Sequence, residues 1–255
     1  MKNQILKTLY YISKPLNLDK NTRRILCYHS VSENGNKYTI AYEDFVKQIL
    51  TLKKYFAFVS LDEIIHSKKF SLPLIALTFD DGYTNIQKIA GFLKKEKIPA
   101  AIFVISNPKQ VNRYELDSNE KLLSVKAIKK IHKLGLTIGC HSATHADFSN
   151  LTNKKINEEV HDSKITLEKA LGFSVDYFAY PKGVYNTSII ETTKKAGYKA
   201  AFTTFPAVVR KGSNPSFNFP RFVMEKNRIF FTPEALSYST EIIRTLYLKV
   251  INKSV

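Results

Sequence analysis

The run Thr78-Phe79-Asp80-Asp81-Gly82-Tyr83 sets two adjacent carboxylates behind an apolar stretch, Leu74-Ile75-Ala76-Leu77, and ahead of a glycine. A strand is expected to end there and a loop to begin. About sixty residues further on, His141-Ser142-Ala143-Thr144-His145 again follows a short apolar stretch. One Asp and two His form a three-donor set for a catalytic metal with positions left open for water, and the second Asp remains to act as a base. Adjacent Asp residues on their own are common in turns and caps; it is their place at a strand end that marks this pair. Neighbouring side chains on a strand point to opposite faces, so both reach one pocket only if the backbone turns. His141 and His145 are four apart, which on a helical turn puts two imidazoles on one face, about 5–6 Å apart at Cβ. Ser142 and Thr144 are placed to orient the ligands by hydrogen bonds.

The elements that must carry these groups alternate. Apolar runs predict strands at 25–28, 74–79, 100–105, 136–140, 176–180, 200–204 and 219–223, and amphipathic stretches predict helices at 42–55, 85–97, 121–133, 153–171 and 188–196. Gly135, Gly172 and Gly197 follow three of those helices, where a left-handed cap is expected. This alternation argues for an α/β fold with a parallel sheet or a β/α barrel. The polar motifs all fall at strand ends, where such folds build their sites. Residues 107–118 read as a surface loop.

At 255 residues the chain is long enough for one large domain, and a hydrophobic content of 44% makes it globular. Its net charge is +17, which attracts phosphates, anionic lipid or nucleic acid. Of its 39 basic residues 32 are Lys, and base-reading surfaces favour the bidentate Arg fork, so specific nucleic-acid recognition is not expected. Two cysteines, Cys27 and Cys140, are too few for a disulfide framework and read as small core residues, although each lies beside a histidine and a thiol competes for metal.

Taken together, Thr-Phe-Asp-Asp-Gly-Tyr and His-Ser-x-Thr-His resemble the polysaccharide deacetylases with a NodB homology domain, carbohydrate esterase family 4, over roughly residues 24–225. The resemblance implies a distorted (β/α) barrel and metal-dependent removal of acetyl groups from N-acetylated sugars. It assigns Asp81, His141 and His145 to the metal, zinc first with cobalt, manganese or nickel also accepted, and Asp80 to the general base. Phe178-Ala179-Tyr180-Pro181-Lys182-Gly183 aligns with the family's third motif, with Ala179 where an Arg often holds the catalytic Asp; Arg221, in Asn218-Phe219-Pro220-Arg221-Phe222, is the expected substitute. The family's C-terminal Leu-x-His acid has no counterpart, because no histidine follows His161. The run Ile25-Leu26-Cys27-Tyr28-His29 resembles instead the circularly permuted branch that includes poly-N-acetylglucosamine deacetylases, which makes His29 the general acid. By the same resemblance the backbone N–H of Lys182 stabilises the oxyanion. Tyr83, Tyr180, Pro181 and Lys182 are expected to bind substrate, with Tyr185 a further stacking candidate.

The expected organisation is a basic amphipathic segment at 1–22, the deacetylase domain at 23–232 and an amphipathic helix at 233–255. The N-terminal stretch lacks the apolar core of a signal peptide, since Lys7 and Lys14 leave only six residues between them, and nothing approaches the roughly 20 apolar residues of a membrane span. A cytoplasmic enzyme follows, at the inner membrane surface if its basic ends rest on anionic lipid, with a glycan or lipid-linked sugar as substrate. The alternatives are a deacylase of another amide or ester on the same scaffold and a non-catalytic glycan-binding relative.

Overall fold

The computed structural model describes residues 22–67, 70–112, 114, 116, 120–210 and 216–226. Of the terminal segments expected at 1–22 and 233–255, only Thr22, the first residue of β1, is among the described residues.

Six buried strands form the frame: β1 (Thr22–Tyr28), β5 (Leu74–Phe79), β6 (Ala100–Val104), β7 (Thr137–Cys140), β8 (Tyr177–Ala179) and β9 (Ala200–Phe202), all parallel and hydrogen-bonded in that order. Apart from the Thr22-Arg23-Arg24 start of β1, they read as near-continuous apolar runs because both faces of the sheet are covered. Short strands fill the rest: β2 (Ser30–Val31) with β3 (Thr39–Ile40), β4 (Ala57–Phe58) on the lower half of β5, and β10 (Val209–Arg210) antiparallel to the start of β1. The last strand among the described residues, β11 (Phe222–Val223), pairs with Leu26 and Cys27 of β1, while Phe219 just before it bridges Phe202 of β9. Residues 219–223 thus join the two ends of the sheet, and the distorted barrel expected from the sequence is present.

Period-two alternation divides the strands' side chains. Ile25, Ala76, Ala101, Phe103, Ala179, Phe202 and Phe219 pack inside the barrel, while Leu26, Tyr28, Ile75, Leu77, Phe79, Ile102, Val104, Cys140 and Phe178 face the helices. Those helices are α1 (Tyr42–Leu52), α3 (Ile86–Lys95), α4 (Val125–Lys133) and α7 (Thr187–Lys195), each burying one apolar stripe. The helix expected at 153–171 is continuous but not uniform: α5 (Asn153–Asn157) passes through a π turn (Glu158–Asp162) into α6 (Ser163–Leu171). The three glycines expected as caps all have positive φ.

One helix was not foreseen. α2 (Leu61–His66) starts with a capping box, Ser60 and Glu63 exchanging hydrogen bonds, and its Leu61, Ile64 and Ile65 plug the barrel floor. The buried Arg23 guanidinium donates to the Ile64 and Ile65 carbonyls at 2.7 and 3.0 Å, satisfying the end of that helix. Among the described residues no helix is long and apolar enough to cross a membrane.

Candidate active site

The opposite end of the barrel opens into a cleft of about 550 Å³ lined by His29, Asp80, Asp81, Tyr83, His141, His145 and Lys182, together with Asn36, Tyr38, Thr204, Pro206 and Glu225. Asp80 continues the inward alternation of β5, so its carboxylate faces the barrel. Asp81 then adopts a left-handed backbone (φ 68°), as does Gly82 (φ 76°), and this reversal brings the second carboxylate to the same cleft. For a non-glycine residue that conformation costs about 1–3 kcal/mol, a strain that the surrounding structure must hold.

Asp80 is fully enclosed by partners. The Arg221 guanidinium donates from Nη1 to Oδ1 and from Nη2 to Oδ2, both at 2.7 Å, the paired geometry a guanidinium fork makes with a carboxylate. Arg221 also donates to Thr78 Oγ1 (3.1 Å) and from Nε to the Thr203 carbonyl (3.0 Å), and its cationic face lies 5.3 Å from the centre of the Phe103 ring. The Cys27 thiol, whose pKa burial pushes up, donates to Asp80 Oδ2 at 3.2 Å. Burial works to raise the Asp80 pKa, but the charges and hydrogen bonds around it, led by Arg221, hold it well below the usual carboxylate range. Arg221, expected as the substitute for the arginine absent at Ala179, lies on Asp80, carried there by the ring-closing segment.

His141 extends inward from β7. Its Nδ1 lies 2.8 Å from the Ala179 carbonyl, which can only accept, so the proton sits on Nδ1 and Nε2 carries the lone pair. That Nε2 is 3.5 Å from Asp81 Oδ1 and 3.8 Å from Asp80 Oδ2, and His145 Nε2 is 3.6 Å from the same Asp81 oxygen. One donor atom from each of Asp81, His141 and His145 lies within 4.8 Å of the others. Burial lowers the His141 pKa to about 3, keeping the ring neutral, and raises that of Asp81 to about 6. The two imidazoles do not share a helical turn, as their spacing suggested. They are joined by a loop in which Ser142 (φ 64°) and His145 (φ 61°) are both left-handed, and the Ser142 hydroxyl accepts from the His145 N–H at 3.0 Å.

His29 follows β1 directly and stands at the cleft edge. Its ring lies 4.9 Å from that of Tyr38, and its buried Nδ1 has no hydrogen-bond partner. Lys182 lines the cleft with a left-handed backbone (φ 56°). Gly183 beside it has φ 74° and passes so close to Thr204 that a Cβ would sit 2.1 Å from the Thr204 hydroxyl. Tyr83 reaches the cleft from a buried position. Two expected substrate contacts must be corrected. Tyr180 is fully buried on the helix side, where its hydroxyl donates to the Phe217 carbonyl at 3.0 Å; alternation points Ala179 inward and therefore Tyr180 away from the cleft. Pro181 is also buried and does not line the cleft. The sequence reading missed Tyr38, Asn36, Thr204, Pro206 and Glu225, which arrive on irregular segments with no periodic signal.

Comparison with known proteins agrees with this architecture. The solved structure of IcaB from Ammonifex degensii superposes with a TM-score of 0.72 at 26% identity, covering 88% of this chain and 98% of that one. The Streptococcus pyogenes deacetylase PplD, solved with acetate, gives 0.70 at 23% identity over 86% and 97% of the two chains, a likeness of fold. A peptidoglycan-N-acetylglucosamine deacetylase of Bacillus cereus is 29% identical over 144 residues, 56% of this chain and 62% of the relative. The chain spans about two thirds or less of the length of the curated relatives it matches first. The sequence model of polysaccharide deacetylases matches residues 67–201, from the approach to β5 through β9 and so across both the Asp80-Asp81 and the His141–His145 motifs; by that match, over more than half its length, the chain belongs to the polysaccharide deacetylase family.

Proposed function

We propose that this chain is a metal-dependent hydrolase that removes N-acetyl groups from an amino sugar of a polysaccharide or glycan precursor. The observation that carries the reading is one cleft in which an arginine-clamped carboxylate, Asp80, adjoins the Asp81, His141 and His145 donor set. The donors suit a divalent cation: Asp81 Oδ1 is buried without a hydrogen-bond partner, between two imidazole nitrogens at 3.5 and 3.6 Å. Two imidazoles and a carboxylate suit zinc first and also accept cobalt, manganese or nickel. When bound there, such a cation supplies Lewis acidity, making water acidic near neutral pH and polarising an amide carbonyl.

The chain's own groups divide the remaining work. Asp80, ionised throughout the working pH range, accepts the proton of the attacking water. Arg221 keeps that carboxylate charged and fixed in orientation. His29 carries the proton to the departing nitrogen, which leaves poorly without one. The left-handed turn at Lys182 offers its backbone N–H to the developing oxyanion, and Tyr83 and Lys182 contact the sugar. The Bacillus cereus relative supports an N-acetylated glycan as the substrate class. The net charge of +17 supports a substrate or a peripheral surface that is anionic, a lipid-linked sugar at the cytoplasmic face of the membrane among them.

The test begins with metal content by elemental analysis of the wild type, Asp81→Ala and His141→Ala. Near-stoichiometric metal in the wild type and its loss from both folded variants is the expected result, followed by acetate release from N-acetylglucosamine oligomers. Equal metal in all three proteins defeats the donor assignment, and acetate release from O-acetyl sugars alone replaces the amide by an ester.

A further inference from the structure

The loop between His141 and His145 is held from behind by a residue that no part of the motif contains. Glu159 is buried, and its Oε2 accepts from the backbone N–H groups of Ala143 and Thr144, both at 2.9 Å. Its Oε1 accepts from the Thr144 hydroxyl at 2.6 Å. From the other side the Ser106 and Asn107 N–H groups donate to the Ser142 and Ala143 carbonyls at 3.1 and 2.8 Å. A loop with left-handed backbone at both Ser142 and His145 does not keep that shape unaided. One carboxylate taking three hydrogen bonds supplies the restraint, and each such charge-assisted bond is stronger than a neutral one.

The π turn explains how a helix reaches this loop. Wider than an α turn, it brings two consecutive residues, Glu159 and Val160, to the buried side. The Val160 carbonyl is taken instead by the Ser163 and Tyr198 hydroxyls at 2.9 and 3.2 Å. Such single-turn π segments in α-helices occur frequently at functional sites.

From this geometry we infer that Glu159 is a positioning residue for the metal site: it sets the backbone of residues 143 and 144 and thereby aims the His145 imidazole at Asp81. The inference rests on the proposed Asp81, His141 and His145 site. Partners behind metal ligands typically matter by roughly 10- to 100-fold in metal affinity.

The test uses Glu159→Gln, which is isosteric but removes the charge and leaves one neutral amide oxygen for the two N–H groups, with its NH₂ able only to donate to the Thr144 hydroxyl, and Thr144→Val, which removes one hydrogen bond and leaves the carboxylate. Zinc affinity is measured by competition with a chelator, the visible spectrum is recorded with Co(II) in place of zinc, and metal-free melting temperature reports folding. In Glu159→Gln, zinc affinity is expected to fall by roughly 10- to 100-fold with a changed Co(II) spectrum. In Thr144→Val it is expected to fall by about 2- to 10-fold. Wild-type zinc affinity and an unchanged Co(II) spectrum in folded Glu159→Gln overturn the inference. Should Glu159→Gln not fold, unaltered zinc affinity in Thr144→Val overturns it equally. A wild-type chain that takes up no zinc overturns the metal reading itself, and this inference with it.

Discussion

Replacing Arg221 separates two roles that its guanidinium combines. It neutralises a buried carboxylate at the cleft floor, and it fixes that carboxylate's orientation through a two-pronged contact. Removing one member of a buried ion pair strands the other charge and typically costs about 3–5 kcal/mol. Arg221→Ala is therefore expected to melt well below the wild type, as thermal denaturation reads directly. Arg221→Lys restores the charge but not the fork, so it is expected to fold with a kcat at least about tenfold lower, an interaction worth roughly 1.4 kcal/mol in the transition state. Equal kcat for Arg221→Lys and wild type would show that orientation of Asp80 does not limit the reaction. At this scale the sequence was legible where type and place coincided: a carboxylate pair behind an apolar run, two histidines behind another, and an arginine near the final strand. It was not legible where direction mattered. Tyr180 looked like a sugar platform by composition, but its neighbour Ala179 takes the inward face. Glu159 carries no mark in the sequence, because a π turn leaves no periodic signature.

Among the elements, β7 constrains the site most tightly from a distance. Gly139 faces inward one strand from Phe103, and a Cβ there would meet the Phe103 ring at 2.4 Å. That ring is the surface on which Arg221 rests. Gly139→Ala is expected to displace the ring and with it the guanidinium, costing about 1–3 kcal/mol of stability through overpacking. It is also expected to lower kcat without touching a cleft residue; unchanged melting and kcat would mean that the barrel interior yields there. Long buried strands were readable from their apolar runs, and β5 spans the expected 74–79. Two-residue strands such as β3 and β10 were not, since so short a segment has no period and is defined only by its partner. α2 had a readable signal in its Ser60–Glu63 capping box, but six residues are too few for an amphipathic repeat to reinforce it.

For the molecule as a whole, the burial of Asp81 is a stability liability once its carboxyl ionises. Asp81 carries a pKa of about 6 against an ordinary 3.8, so the native state favours its protonated form. A raised folded pKa gives stability that is fully present below about pH 4 and lost as pH rises through 6. Asp81→Asn removes that loss. The metal-free variant is expected to exceed metal-free wild type by on the order of 1–3 kcal/mol at pH 8, with the gap closing near pH 4. Zinc at 100 times its Kd is expected to stabilise the wild type by about 2.7 kcal/mol and to leave Asp81→Asn unmoved. Melting curves at both pH values, with and without zinc, check all four corners. A variant no more stable than wild type at pH 8 would mean that Asp81 is not the strained group.

The barrel's closure has a consequence for synthesis. Residues 219–223 both seal β9 to β1 and carry Arg221, whereas Asp80, Asp81, His141 and His145 follow strands made much earlier, β5 and β7. A chain emerging N-terminus first can build most of the sheet on the ribosome while Asp80 still lacks its counter-charge. On the proposed mechanism the clamped form of Asp80 then arises only when β11 docks, after the rest of the sheet.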